Sequence, residues 1–535
     1  MAGGNGNFTP KRAFAARQSK NADRTAPWLT AHGPLRIVNI ISAPELEGTA
    51  MSTVLNHPAV QATGKDASLK LARHAATLRY EALPRELIEL TKQCVLDTLG
   101  VAIGASGIAE EAKLVHDYVR DLGGKEESTI WGFGGKAPAP WAAFVNGSLG
   151  HMLDYDDVSD GGHVSISTIP PGFAVAEKLT GDRKISGKEF LTAIAAGTDI
   201  HTRLSLAIDI PDWTMAEGWF ATQLFGYISG SAAAGRLLGL NAEKMENALG
   251  IGYNQMSGSR QMAVGAATHM RAMQAGFSGQ AATAGAEMAR RGIIGDKEFL
   301  EGRYGLFHNY VRTGTPDWDA IVGDLGTRFP LLRTHGFKVW PACAYTRPTN
   351  AATLILRNTH RLTPEDIESI TIVGGTGGTQ LLCEPLDKKR RPLVSIDGKY
   401  SIPFTTGVMM ARGNVTLHDY TEAGLRDPAA LAMADKVSYR ALPGAKMERG
   451  GSSGSIGIVT VEIKTKDGRL LASTPDSVPG GPNQRVGWDA IERKFRDCVS
   501  FAAKPIAAKN IDHVIELVRD LENQQDVTEV MRLLA

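Results

Sequence analysis

The texture of this chain changes twice, and no single layer of secondary structure can absorb both changes. From about Ser68 to His335 the sequence reads as helix. "PRELIELTKQCVLDTLGVAIGA" sets Leu87, Ile88, Leu90, Cys94, Val95 and Leu99 near helical spacing. "SGKEFLTAIAAGTDIHTRL" opens on a capping-box pattern, Ser186 with Glu189 three residues on, and "LNAEKMENALGIG" starts a helix after Asn241. Alanine and glycine crowd "SGSAAAGRLLGL" and "AGFSGQAATAGAEMARRG". Small residues let helices approach closely, so these stretches belong in the buried middle of a large helical domain. After His335, "IESITIVGG" and "SIGIVTVEIKTKDGRLL" carry β-branched alternation with turn signals, and "HDYTEAGLRDPAALAMADKVSY" interrupts them with a helical stretch. "GWDAIERKFRDCVSFAA" and "NIDHVIELVRDLENQ" then return to helix. The expected fold is mainly α: a large all-helical domain with an inserted, smaller α+β lid domain. The boundaries read as a disordered extension over 1–66, the helical domain over 67–335, the lid over 336–482, and C-terminal helices over 483–535 that return to the helical domain.

With 535 residues, the chain is too long for one ordinary core. A net charge of +1 gives no electrostatic case for nucleic acid or membrane as partner. The charge-poor window from Gly218 to Gly235 holds Thr222, Gln223, Ser229 and Ser231, which reads as a buried helix and not a membrane span. The four cysteines, Cys94, Cys343, Cys383 and Cys498, form no CxxC pair, so a zinc ribbon or redox dithiol is disfavoured and a reducing compartment, the cytoplasm, fits best. Six basic residues against Asp23 alone in the first 36 resemble a transit peptide; a disordered extension upstream of a start near Met51 is the preferred reading.

One short loop concentrates the chemistry. "HMLDYDDVSDGGH", His151 to His163, packs four aspartates and two histidines into thirteen residues. An EF-hand beginning at Asp154 fails, because position 5 is Val158 and position 12 is Ser165. Zinc wants imidazoles or thiolates at close spacing, and His151 and His163 are twelve apart with no cysteine nearby in sequence. No metal and no cofactor are therefore expected. "GGSSG" (450–454) formally matches a nucleophile elbow but precedes a strand, the wrong context. "GGTGG" (374–378) lacks the spacing and lysine of a nucleotide loop and reads as a turn. Lys338 lies beside Trp340 and Pro341 at the domain junction; a snorkelling surface lysine is the default there, although junctions are also where ligand clefts form. His201 and Arg203 read as helix-holding residues.

Several stretches together resemble the MmgE/PrpD family, in an order and spacing that covers roughly Ala67 to Ala503: "LDTLGVAIGA", "AAFVNGSLGHMLDYDDV", "GRLLGLNAEKMENALGIG", "KVWPACAYTRP", "SIDGKYSIPFTTGVMMARG" and "DPAALAMADKV". The resemblance implies a helical domain with an α+β lid, a homodimer, no metal, and a small polycarboxylate substrate. It also implies that the aspartate segment Asp154, Tyr155, Asp156, Asp157 and the following His163 line the active site, with Lys338 opening the lid segment and Tyr345 and Arg347 facing the substrate. Two segments depart from the family's pattern. In "HMRAMQAG", Arg271 replaces a lysine and Gln274 a histidine; in "GWFATQ", Phe220 replaces a histidine. On this reading His163 is the acid/base, Asp154 its orienter, Lys338 with Arg271 the anion clamp, and Gln274, Tyr345 and Arg347 further substrate-binding residues. Drawing a proton from carbon beside a carboxylate builds enediolate charge that fixed cations must stabilise. The expected activity is a metal-independent lyase of the 2-methylcitrate dehydratase kind. An epimerase, an isomerase or a decarboxylase in the same site is the alternative, as is a carboxylate-binding member without turnover.

Overall fold

The computed structural model describes residues 64–160, 162–208, 217–264, 268–312, 314–442 and 459–535. Residues 1–63 and the Gly450–Gly454 motif lie outside the described residues. The helical body comprises α1 (Ala67–Thr77), α2 (Arg85–Ile108), α3 (Glu110–Leu122), α4 (Ala139–Met152), α5 (Ser165–Leu179), α6 (Gly187–Leu206), α7 (Ala221–Leu237), α8 (Ala242–Asn254) and α9 (Met270–Arg290). The expected capping box forms at α6, where Ser186 accepts from the Glu189 N–H while the Glu189 carboxylate accepts from Ser186. Asn241 caps α8 by accepting from the Lys244 N–H. The charge-poor window becomes α7, almost wholly buried. Among the described residues no helix is long and apolar enough to cross a membrane.

Glycine and alanine do the packing that the sequence reading assigned to them. Gly147 of α4 meets the Ala275 carbonyl of α9, and a Cβ on Gly147 would sit 2.8 Å from that oxygen. Gly279 faces the Ala143 carbonyl in the same way. The pairs 147/275 and 143/279 run in opposite directions, so α4 and α9 are antiparallel, and four residues further along α4 His151 comes level with Arg271. This backbone-to-backbone contact is what carries the site.

The second core is a four-stranded sheet in the order β2–β1–β3–β4, built from β1 (Ile367–Gly374), β2 (Val437–Ala441), β3 (Thr460–Thr465) and β4 (Leu470–Ser473). β1 pairs parallel with β2 and antiparallel with β3, and β3 pairs antiparallel with β4. Ile370 faces both Val437 and Ile463 across the sheet. With Ile372 and Val461 these side chains form one apolar face, covered by Leu356 and Met410 from α10 (Arg347–Thr359) and α11 (Ile402–Arg412). The parallel β1–β2 pair requires a crossover, which α11 and the helix Pro428–Ala434 supply. The helical reading of "HDYTEAGLRDPAALAMADKVSY" is corrected at its end: Val437, Ser438 and Tyr439 are strand, hydrogen-bonded along β1.

After the sheet, α12 (Trp488–Val499) packs on a glycine stripe of α2. Gly100 lies under the Phe495 ring, and Gly104 under the Cys498 carbonyl. A Cβ on Gly107 would fall 1.8 Å from the Phe501 carbonyl oxygen. Gly107→Ala should therefore destabilise by about 2 kcal/mol or more, through forced separation of the two segments. A urea transition unchanged from wild type would contradict this.

Candidate active site

The aspartate loop begins where α4 ends. Asp154 takes the left-handed conformation, φ 49°, which aspartate tolerates better than most residues but which still costs of order 1–3 kcal/mol. That turn separates the three carboxylates. Val158 then forms a two-residue bridge with Gly336 (N–H to O 2.9 and 2.8 Å), and Phe337 donates to the Gly480 carbonyl at 2.8 Å. Gly480 has φ 82°, and a Cβ there would strike the Phe337 carbonyl at 2.1 Å; only glycine lets three strands of backbone meet this closely. Lys338 is thereby threaded into the body and is fully buried, so the surface-lysine default is wrong for it. Its ammonium donates to the Asp154 carboxylate and, at 2.8 Å, to the Asp154 carbonyl.

Two assignments change as a result. Asp154 is the partner of Lys338, not the orienter of His163. Burial acts to raise its carboxyl, but Lys338, then His151 and Arg271, bring it down to about 2. The orienter is Asp156, fully buried, which serves two imidazoles. His151 Nδ1 lies 3.0 Å from Oδ1. His163 Nδ1 lies 2.7 Å from Oδ2, in a contact bent away from hydrogen-bond geometry. Against its burial, His163, His151 and Lys338 hold the Asp156 carboxyl well below the carboxylate range. The two imidazole rings stand edge to face at 4.5 Å. His163 is itself buried, with 11% of its side chain accessible, unlike a free loop residue; its N–H is fixed by the Thr222 hydroxyl at 3.1 Å.

Arg271 joins this group from α9. Its Nε donates to the Tyr400 hydroxyl at 3.2 Å, and its guanidinium lies 4.2 Å over the Phe220 ring. Phe220 thus stacks on a cation in place of supplying an imidazole. Gln274, one turn along α9, is completely buried. Tyr345 covers Gly378 with its ring, two residues after Cys343, whose thiol burial and then Asp154 push up to about 11. Arg347 starts α10 and donates to the Pro479 carbonyl at 3.1 Å, against Gly336; its guanidinium braces the junction. Arg203 donates to the carbonyls of Ile321 and Gly323, in keeping with a helix-holding role.

The sequence reading missed three contributors. Lys399 is buried beside the group, donates to the Met152 carbonyl at 3.3 Å, and is brought down to about 8 by burial. Tyr400 follows it. His335 lies 2.7 Å from Asp157 Oδ2 and 3.4 Å from Cys94 Sγ. The first two sit inside the quoted "GKYSIPF" segment, whereas His335 gave only the signal of preceding the texture change.

The statement that no metal-ligand set surrounds the loop also needs correction: Cys94, Asp157 and His335 converge, as do His151, Asp154 and His163. In the first group the geometry favours protons over an ion. A tetrahedral metal bound by His335 and Asp157 would hold their atoms roughly 3.3 Å apart, wider than the observed 2.7 Å, and burial raises the Cys94 thiol well above its ordinary value. Elemental analysis should find well under one metal per chain. A stoichiometric metal lost on Cys94→Ser would reverse this reading.

Comparison with known proteins agrees with the architecture. Residues 69–319 match the MmgE/PrpD N-terminal domain and residues 340–520 the MmgE/PrpD C-terminal domain. The chain is 26% identical over 473 residues to a cis-aconitate decarboxylase of Homo sapiens, covering 85% of this chain and 92% of that protein. It is 24% identical over 493 residues to the cis-aconitate decarboxylase-like protein oryM of Aspergillus oryzae, covering 87% and 96%. It is 24% identical over 480 residues to a cis-aconitate decarboxylase of Aspergillus terreus, covering 87% and 95%.

Proposed function

Because the chain belongs to the MmgE/PrpD family, we propose that it is a lyase for a small di- or tricarboxylate, working without a metal. The observation that carries this is the pair of imidazoles on one buried carboxylate, set beside the cations Lys338 and Arg271. His163, the more accessible imidazole, takes the proton from carbon next to a substrate carboxylate through its Nε2, since Nδ1 faces Asp156. Lys338 and Arg271 stabilise the enediolate charge that follows. Arginine stays charged, so Arg271 binds and polarises but does not shuttle a proton. The carbon–oxygen bond of the neighbouring carbon then breaks and the hydroxide leaves as water with the proton that His163 took, the net dehydration of a 2-methylcitrate dehydratase. Decarboxylation is the second reading, supported by the names of the relatives. A polycarboxylate screen by thermal shift, followed by proton NMR in heavy water, tests both. Dehydration yields water and an alkene, decarboxylation yields carbon dioxide, and binding with neither exchange nor turnover would refute the lyase assignment.

A further inference from the structure

Arg271 sits where its own helix does not favour it. It is the second residue of α9 (Met270–Arg290), and the first turn of a helix carries the positive end of the dipole, which opposes a cation. Among the described residues no carboxylate is in ion-pair contact with it; Asp154, whose carboxyl it helps to hold down, is already paired with Lys338. The guanidinium is nevertheless held from two directions. Nε donates to the Tyr400 hydroxyl at 3.2 Å, and the face of the Phe220 ring lies with its centre 4.2 Å from the guanidinium carbon. Nη1 is buried and has no partner among the protein's own atoms. One donor is therefore left over on a cation that is otherwise fixed.

The ring that supports this cation is itself fixed. The Phe220 N–H donates to the Gly258 carbonyl at 2.8 Å and the Arg260 N–H to the Gly218 carbonyl at 2.7 Å, on either side of a Trp219–Ser259 bridge. The Phe220 carbonyl then accepts from the Leu224 N–H at 3.1 Å, opening α7. Trp219 stands edge to face with Tyr310 at 5.0 Å. A short ladder on one side and a helix start on the other thus pin the Phe220 backbone.

A long side chain that must be ordered by its ligand weakens binding. A ring face attracts a guanidinium through its quadrupole and consumes none of its N–H groups. It orders the cation before a ligand arrives and leaves the donor free. We infer that Phe220 is a positioning residue of the anion clamp: stacked on Arg271, it holds the guanidinium with Nη1 presented to a carboxylate of the substrate. Phe220 acts through Arg271 and not by contact with the substrate. This rests on the carboxylate reading above and deepens it, by naming what makes Arg271 a preformed receptor.

Ring fluorination tests this in the full chain, because fluorine draws charge from the ring face while adding little volume. Phe220 is replaced by phenylalanines bearing one, two and three ring fluorines, and succinate, malate and citrate are titrated by calorimetry. The Kd of the tightest-bound acid should rise with each fluorine, by about five- to tenfold at the third. Phe220→Tyr, which keeps an electron-rich face, should bind within about twofold of wild type, and Phe220→Leu at least as weakly as the trifluoro ring. An affinity unchanged along the fluorine series would overturn the inference, and would make the ring plain packing even if Phe220→Leu binds poorly. An affinity that rises with fluorine would overturn it too, because an electron-poor ring that faced the carboxylate directly would attract it more. If none of the three acids binds the wild type, the lyase proposal itself falls, and this inference with it; acids that bind indifferently to the fluorine series sink the inference alone.

Discussion

Alanine at position 163 is expected to lower kcat/KM by about two to four orders of magnitude, the range that a positioned acid/base contributes. Asp156→Asn should come close to it, because an amide facing both imidazoles no longer dictates which ring nitrogen bears the proton. Lys338→Ala should lower activity and stability together. It strands the buried Asp154 carboxylate, and breaking a buried pair typically costs about 3–5 kcal/mol. The double change Lys338→Met with Asp154→Asn separates the two effects: stability should return towards wild type while turnover stays lost. Recovery of turnover with stability would reduce Lys338 to a structural lysine. Near-native kcat/KM in His163→Ala and Asp156→Asn would move the chemistry elsewhere.

Acid should unfold this protein earlier than its near-neutral charge suggests. Burial brings His151 down to about 4 and His201 to about 3, both below the ordinary 6.5 of an unfolded chain. Below pH 6.5 the unfolded chain therefore takes up protons that the folded one refuses, and stability falls with falling pH. Each histidine contributes about 1.4 kcal/mol per pH unit until its folded value is reached. The depressed carboxyls of Asp154 and Asp156 add to the loss below about pH 4, where their unfolded counterparts take up protons first. Asp97 opposes the two histidines: burial raises its carboxyl to about 7, so between that pH and about 4 the folded chain holds a proton that the unfolded one does not, and about one histidine's share is cancelled. Chemical denaturation at intervals from pH 7 to 4.5 should show the remaining slope, and His201→Gln should remove most of it. A flat profile across that window would mean that the two rings do not stay neutral inside the fold.

What could be read in the sequence depended on how far apart the interacting residues lie along it. His151, Asp156 and His163 fall within thirteen residues, so their loop stood out as a candidate site before any coordinates. Which aspartate serves which partner was not, because the left-handed turn at Asp154 decides where each carboxylate points. The burial of Lys338 was hidden for another reason: its partner lies 184 residues away, and lysine beside tryptophan and proline reads as surface by composition. Asp157 likewise meets His335 across 178 residues. The helix-to-strand switch at Val437 was masked by the alanine-rich run before it, whose propensity outweighed three residues of strand pattern until pairing with β1 settled them.

Lys494, on α12, donates to the carbonyls of Tyr155 (2.6 Å) and Lys338 (3.1 Å) and pairs with Asp97 at 2.6 Å. One ammonium thus ties the aspartate loop, the lysine segment and α2 together, and it is encoded 156 residues after Lys338. During translation, at roughly 5–20 residues per second, the loop and Lys338 would wait on the order of ten seconds before this tie is made. Through that interval the loop and the lysine segment have their mutual contacts, Lys338 with Asp154, His335 with Asp157 and Val158 with Gly336, but lack the tie to α2. Chains stalled before residue 494 should therefore be cut by protease between the loop and α2 more readily than the full chain.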